Sequence, residues 1–219
     1  MQKPVSVVSI RLLNVIRQVY FQNSYDFSKF PQGGRIQKHY NSLLEQRKVP
    51  VVIDAGANIG VASRYFSTIF PEARIFAIEP DPKTVAICRL NTEMASHVEV
   101  LEAAIGSEAG SVTVESFEGH AWATQTSRSD DGLGIVTVPD IVGRVARGEL
   151  FMVKVDIEGF ESDLFQANTR WIDDAFVIVV EPHDWMFPEK GTSQSLQNAM
   201  CSRGRDLIVS GENLIWVKR

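Results

Sequence analysis

Val51-Val52-Ile53-Asp54-Ala55-Gly56-Ala57-Asn58-Ile59-Gly60 is the stretch on which the reading of the fold turns. An apolar run closed by an acid, then two glycines with three residues between them, describes a buried strand ending in a tight turn. A helix over residues 61–70 follows and is broken by Pro71. Glycine takes positive φ at little steric cost, and the small residues at 55, 56, 57 and 60 let backbone approach a ligand closely. The helix N-terminus adds free N–H groups and a partial positive charge. A dinucleotide fingerprint would read G-x-G-x-x-G, but Asn58 stands where its second glycine belongs. A pyrophosphate is disfavoured on that count. Any tight β–α turn needs small residues, so the turn alone leaves a purely structural role open.

Outward from this turn the chain alternates strand and helix. Strands are expected at 74–79, 98–106, 151–156 and 176–181, with helices at 83–94, 138–145, 161–167 and 193–203. The 176–181 run is nearly all β-branched and should be central, covered on both faces. Residues 111–115 alternate apolar and polar, as a half-exposed edge strand would. Residues 116–134, rich in Gly, Ser and Asp, show no periodicity and read as a long loop holding His120 and Trp122. At the end, 206–210 and 213–218 are joined by Gly211-Glu212, a turn short enough to force an antiparallel hairpin. Together these give an α/β fold: a doubly wound, mostly parallel seven-stranded sheet closed by a terminal antiparallel hairpin. Residues 1–48 carry a helical period over 5–20 and a second short helix over 37–46. They are too few for a core of their own and form a helical cap on the main domain, 49–219.

Bulk properties narrow the function. With 219 residues the chain suits one domain, and 22 basic against 27 acidic residues argue against a general nucleic-acid binder. No apolar run approaches the roughly 18–20 residues of a membrane span. Residues 1–9 read poorly as a signal peptide because Arg11 interrupts them. Cys88 and Cys201 lie far apart in helical patterns without ligand-spaced neighbours, as buried thiols in a reducing, cytoplasmic setting would.

Four strands end in an acid: Asp54, Glu79, Asp156 and Glu181. In open α/β sheets ligands bind beyond the carboxyl ends of the strands, so these acids converge on one crevice. Glu79 can accept two hydrogen bonds from a ribose diol, or merely hold the turn before Pro80. Asp54 orients the glycine turn, and Ala104 sits where a base could lie against backbone. Asp156, Glu158 and Glu161 crowd a second strand-to-helix turn, where three carboxylates repel unless a cation, a donor or a proton relieves them. Glu158 and Glu161 can equally serve the helix dipole.

The blocks VVIDAGANIG (51–60), IFAIEPDP (75–82), AAIG (103–106), VKVDIEGFE (153–161) and VVEPH (179–183) resemble, in order and spacing, the FkbM-type methyltransferases. The resemblance covers about residues 50–185 and departs at Val138-Pro139-Asp140, where the family has a Thr-Leu-Asp-like lead. It implies the S-adenosylmethionine (SAM)-dependent methyltransferase fold, with its closing hairpin, and O-methylation of hydroxyls in sugars, glycans or secondary metabolites. Carried across, Asp54, Gly56, Asn58, Gly60 and Glu79 bind SAM, with Asp156 and Ala104 beside them. A hydroxyl acceptor gains from a base, and His183 and Asp156 are the candidates. A divalent metal on Asp156 and Glu181 would suit hard-cation chemistry, though no spacing demands one. The rivals are a nicotinamide oxidoreductase, which would share the crevice and Glu79, and a non-catalytic SAM-binding protein.

Overall fold

The computed structural model describes residues 15–116 and 124–219. Its main sheet has seven strands: β1 Val49–Ala55, β2 Arg74–Glu79, β3 Val98–Glu102, β8 Gly148–Val155, β9 Val177–Val180, β10 Asp206–Ser210 and β11 Asn213–Val217. They run in the order β10-β11-β9-β8-β1-β2-β3. All contacts among β3, β2, β1, β8 and β9 are parallel, and β11 is antiparallel to both β9 and β10. The terminal hairpin turns on Gly211, at φ +60°, with Ser210 paired to Asn213.

Why the strands read as continuous apolar runs is plain from their faces. Successive side chains point to opposite sides, and both sides are covered. Val51, Ile53 and Ala55 of β1 join one core with Val153, Val155, Ile178 and Val180. Val52 joins the other with Ile75, Met152, Val177 and Val179. The first core is closed by α4 Val138–Gly143, α5 Glu161–Gln166, α6 Trp171–Asp174 and α7 Gln194–Cys201. The second is closed by α1 Gly33–Glu45 and α2 Val61–Ile69, while α3 Pro82–Thr92 caps a small cluster around Cys88, Ala57 and Ala77.

The N-terminal segment packs into that second core through Val19, Tyr25, Phe27, Ile36, Tyr40 and Leu43. Ile36, Tyr40 and Leu43 lie on one helical face. α1 begins four residues earlier than the expected 37, at Gly33. A Cβ at Gly33 would lie 2.3 Å from the Phe27 carbonyl oxygen, so glycine is what lets the helix start against the preceding turn. Of the helix expected over 5–20, residues 5–14 fall outside those described; the end is a π-helical turn, Arg17–Phe21. Among the described residues no helix is long and apolar enough to cross a membrane.

Three expectations need correction. The strand expected over 98–106 is two: β3, and β4 Ala104–Ile105 in a separate sheet. That second sheet, β4-β7-β5-β6, contains β5 Gly110–Ser116, β6 Thr124–Ser129 and β7 Leu133–Val136. The described residues of the expected loop over 116–134 are therefore mostly strand, and β5 lies between β6 and β7 instead of at an edge. Its β6 sequence, Thr-Gln-Thr-Ser-Arg-Ser, has no apolar residue, so hydrophobic periodicity could not reveal it. His120 and Trp122 lie outside the described residues. The sheet is anchored by Arg128, whose Nε and Nη2 donate to Asp163 Oδ2 and Oδ1 at 2.6 and 2.9 Å. Third, Cys201 is exposed while Cys88 is buried. α7 buries Leu196, Ala199 and Met200, and position 201 falls off that face.

Candidate active site

Strand order reverses between β1 and β8: β2 and β3 spread to one side, β9 to the other. A crevice opens at such a point beyond the carboxyl ends of the strands. Here Asp54 of β1 is the register partner of Lys154 on β8. Asp54 is fully buried; its Oδ2 accepts from Ser63 Oγ at 2.6 Å and its Oδ1 lies 3.1 Å from Lys154 Nζ. Lys154 Nζ also donates to the Gly56 carbonyl at 2.7 Å and lies 3.4 Å from Asp156 Oδ2. Burial opposes its charge, yet Asp54 and Asp156 hold its pKa well above the ordinary lysine range. A buried ammonium thus clamps the end of β1, the glycine turn and the end of β8. Sequence reading passed over Lys154, although it opens the Lys-x-Asp pair.

The turn itself is built for close approach. Gly56 has φ +72°, and a Cβ there would lie 1.8 Å from the Asp156 carbonyl oxygen. Its smallness is imposed by the neighbouring chain as well as by any ligand. Asn58 adopts φ +51°, the left-handed region that asparagine tolerates. Its backbone N–H donates to Glu79 Oε2 at 2.9 Å. Glu79 Oε1 accepts from the Asp81 N–H at 3.0 Å, so one carboxylate ties both loops. Burial lifts Glu79 to about 7, against the pull of those N–H groups and Lys154, with Glu158 adding to the rise. Gly56, Asn58, Glu79, Ala104 and Asp156 line one cleft, whose other wall includes Ile105 and Phe160. Asp54 and Gly60 are not among the residues that line it. A Cβ at Gly60 would meet Cys88 Sγ at 2.8 Å, so that glycine serves the packing of α2 on α3.

At the second turn Glu161, only 1% exposed, accepts from the Ile157 N–H at 3.1 Å and the Gly159 N–H at 2.8 Å. Its Oε1 also lies 2.8 Å from His183 Nδ1. Glu161 therefore holds a loop and a histidine, which the helix-dipole reading did not foresee. His183 is 3% exposed, and its Nε2 lies 3.5 Å from Asp156 Oδ1. Burial opposes a charge on His183, but the Glu161 bond, with Asp156 and Glu181, raises it to about 9. That shift favours the protonated ring, with Glu161 on one nitrogen and Asp156 near the other. Glu181 is raised to about 7 by burial and by Asp156. The N-terminal segment reaches this cluster too: Gln18 Nε2 donates to Glu181 Oε2 at 3.3 Å. Gln18 also lines a polar groove with Arg17, Gln22, Ser24 and Glu212. No periodicity in the sequence links residue 18 to residue 181. The departure at 138–140 is capped locally: Thr137 and Asp140 form a reciprocal capping box.

Known proteins resemble the chain in the same region. A family model described as the methyltransferase FkbM domain matches residues 54–207. The 2-O-methyltransferase NoeI of Sinorhizobium fredii is 25% identical over 170 residues, spanning 68% of this chain and 70% of that protein. The hexuronic acid methyltransferase AglP of Haloferax volcanii is 30% identical over 156 residues, spanning 68% of this chain and 63% of that protein. A crystal structure of precorrin-6y C5,15-methyltransferase from Geobacter metallireducens is 16% identical, with a TM-score of 0.46, covering 78% of this chain and 81% of that one. With the family model covering most of the sheet and every acid of the crevice, the chain belongs to the FkbM methyltransferase family.

Proposed function

We propose that this chain is a SAM-dependent O-methyltransferase acting on a hydroxyl of a sugar or glycan. The observation that carries the reading is the cleft, in which the Gly56–Asn58 turn, the Glu79 carboxylate and an apolar wall including Ala104 and Phe160 meet, with Asp156 at the rim. These residues fit SAM: the wall suits an adenine, and Glu79 suits a ribose diol. A carboxylate offers about four lone-pair sites, and Glu79 gives only two to backbone N–H groups. When bound, SAM supplies a methyl group on a sulfonium, open to in-line attack by an oxygen.

The chain's own part is alignment and proton handling. Lys154 fixes the turn and Asp156 relative to each other. Asp156, its side chain 31% exposed, accepts the acceptor's hydroxyl proton as the new C–O bond forms. His183, seated on Glu161, positions Asp156. The polar groove around Gln18 and the exposed indole of Trp185, two residues past His183, suit a hydroxyl-rich acceptor. NoeI and AglP, whose names place their chemistry on a 2-oxygen and on a hexuronic acid, support a sugar.

Calorimetry with SAM, S-adenosylhomocysteine and NAD tests the cofactor: the first two are expected to bind and NAD is not. The reverse would favour a nicotinamide enzyme. Binding of SAM without methylation of any sugar in a broad panel would favour a non-catalytic SAM-binding protein.

A pH dependence follows from Glu79. Ribose hydroxyls donate to its ionised form, so SAM affinity is expected to rise as pH passes through about 7. Lys154 and Glu158 are the charged groups that act on it, beside the Asp81 and Asn58 N–H groups. In the unliganded protein the sign is opposite. The stability that Glu79 contributes is complete below the ordinary glutamate value, near 4.3, and is lost as pH rises through about 7. Glu79→Gln should flatten both trends and weaken SAM by about 1.5–3 kcal/mol. Unchanged affinity and slope in the folded variant would remove Glu79 from the site.

A further inference from the structure

We propose that Asp156, Glu181 and His183 form a binding site for one divalent first-row transition-metal ion, of which Mn²⁺ is the test case. These residues come from the ends of β8 and β9 and from the segment just beyond, and one donor atom from each lies within 4.8 Å of the others. Metal–ligand bonds of about 2.0–2.2 Å put adjacent ligands about 3 Å apart and opposed ones about 4 Å apart. Modest side-chain rotation therefore closes the set.

The two carboxylates alone would say little, since acids gather at many strand ends. The histidine is the independent observation. Its ring is 3% exposed, and its Nδ1 is engaged by Glu161 Oε1 at 2.8 Å. That leaves Nε2 as the coordinating nitrogen, with Asp156 Oδ1 at 3.5 Å. A carboxylate on the far nitrogen, orienting the ring and raising its basicity, is the usual support of a metal-bound histidine. Glu161 is itself held by the Ile157 and Gly159 N–H groups, so the ring cannot easily swing away. One imidazole with two carboxylates suits a first-row divalent ion, and three protein ligands leave positions open. Asp156 also lines the cofactor cleft, and Gln18 links Glu181 to the polar groove, so an open position faces where an acceptor hydroxyl would lie. The ion's role in methyl transfer rests on the proposed function; its binding does not.

The test is a Mn²⁺ titration of chelator-treated protein at about pH 8, where the ion displaces the His183 proton on binding, followed by the loss of the free-ion electron paramagnetic resonance signal. One ion per chain is expected, with a rise of about 5 °C in Tm at saturation. Glu181→Gln is close to isosteric and partly exposed, so it should fold. It and Asp156→Asn should each weaken Mn²⁺ at least tenfold and abolish the Tm rise. Glu79→Gln should keep Mn²⁺ binding while losing SAM affinity. No Mn²⁺ binding up to about 1 mM, or undiminished binding in the Glu181→Gln/Asp156→Asn double variant, would overturn the site. Mn²⁺ binding in a protein that ignores SAM would uphold the site and count against the proposed function alone.

Discussion

Replacing Lys154 by methionine is expected to cost about 3–5 kcal/mol of folding stability, the penalty for removing one partner of a buried ion pair. That is a large share of the roughly 5–15 kcal/mol that holds a domain together. Lys154 is 3% exposed and stands between Asp54, fully buried, and Asp156. Methionine fills the same volume but leaves the Asp54 carboxylate in the core with one hydroxyl partner, Ser63 Oγ. The Gly56 carbonyl loses its donor as well. Urea denaturation reads the effect directly, as a lower midpoint at an unchanged slope. Adding Asp54→Asn to the Lys154→Met protein should restore part of the loss, because the stranded charge is gone. If Lys154→Met alone stays within about 1 kcal/mol of the parent, the clamp is not what holds the turn.

Asp156→Asn is expected to lower methyl transfer by about 10²–10⁴-fold, the usual contribution of a positioned acid or base. Asparagine keeps the shape and can still face His183, but it accepts no proton from an acceptor hydroxyl. The fold should survive, since Asp156 is partly exposed and its backbone N–H still donates to the Ala55 carbonyl at 3.1 Å. The measurement is transfer of a labelled methyl from saturating SAM to a panel of hexuronates and other glycosides, with SAM affinity followed in parallel. A fall in turnover with SAM affinity within a few-fold assigns Asp156 to the reacting end of the cleft. A fully active Asp156→Asn enzyme would leave alignment alone to carry the reaction.

How far the site was legible differs residue by residue. Glu79, Asp156 and Glu181 could be placed at strand ends because a parallel sheet buries apolar runs and releases the chain at their carboxyl ends. The nearness of Gly56 and Asn58 to that crevice follows from the same turn. Gly60 is ambiguous in the sequence because a glycine in a β–α turn looks the same whether it admits a ligand or a helix. The 2.8 Å approach of Cys88 Sγ to its would-be Cβ shows the helix packing that the sequence does not announce. Glu161 was ambiguous for a similar reason, since an acid in the first turn of a helix satisfies the dipole wherever its side chain points.

By itself the sequence determined the alternation of strand and helix, the closing hairpin and the row of acids, because each rests on spacing within about 20 residues. Periodicity decides which face of an element is buried, and that is a local property. Tertiary structure alone decided the second sheet, the Lys154 clamp, the seat of His183 on Glu161 and the reach of Gln18 to Glu181. The last two contacts join residues 22 and 163 positions apart and depend on where the switch in strand order brings chain ends together. Polar side chains carry no period that announces such partners. Their pairing is enforced only when burial makes an unpartnered charge costly, and burial exists only once the sheet has formed.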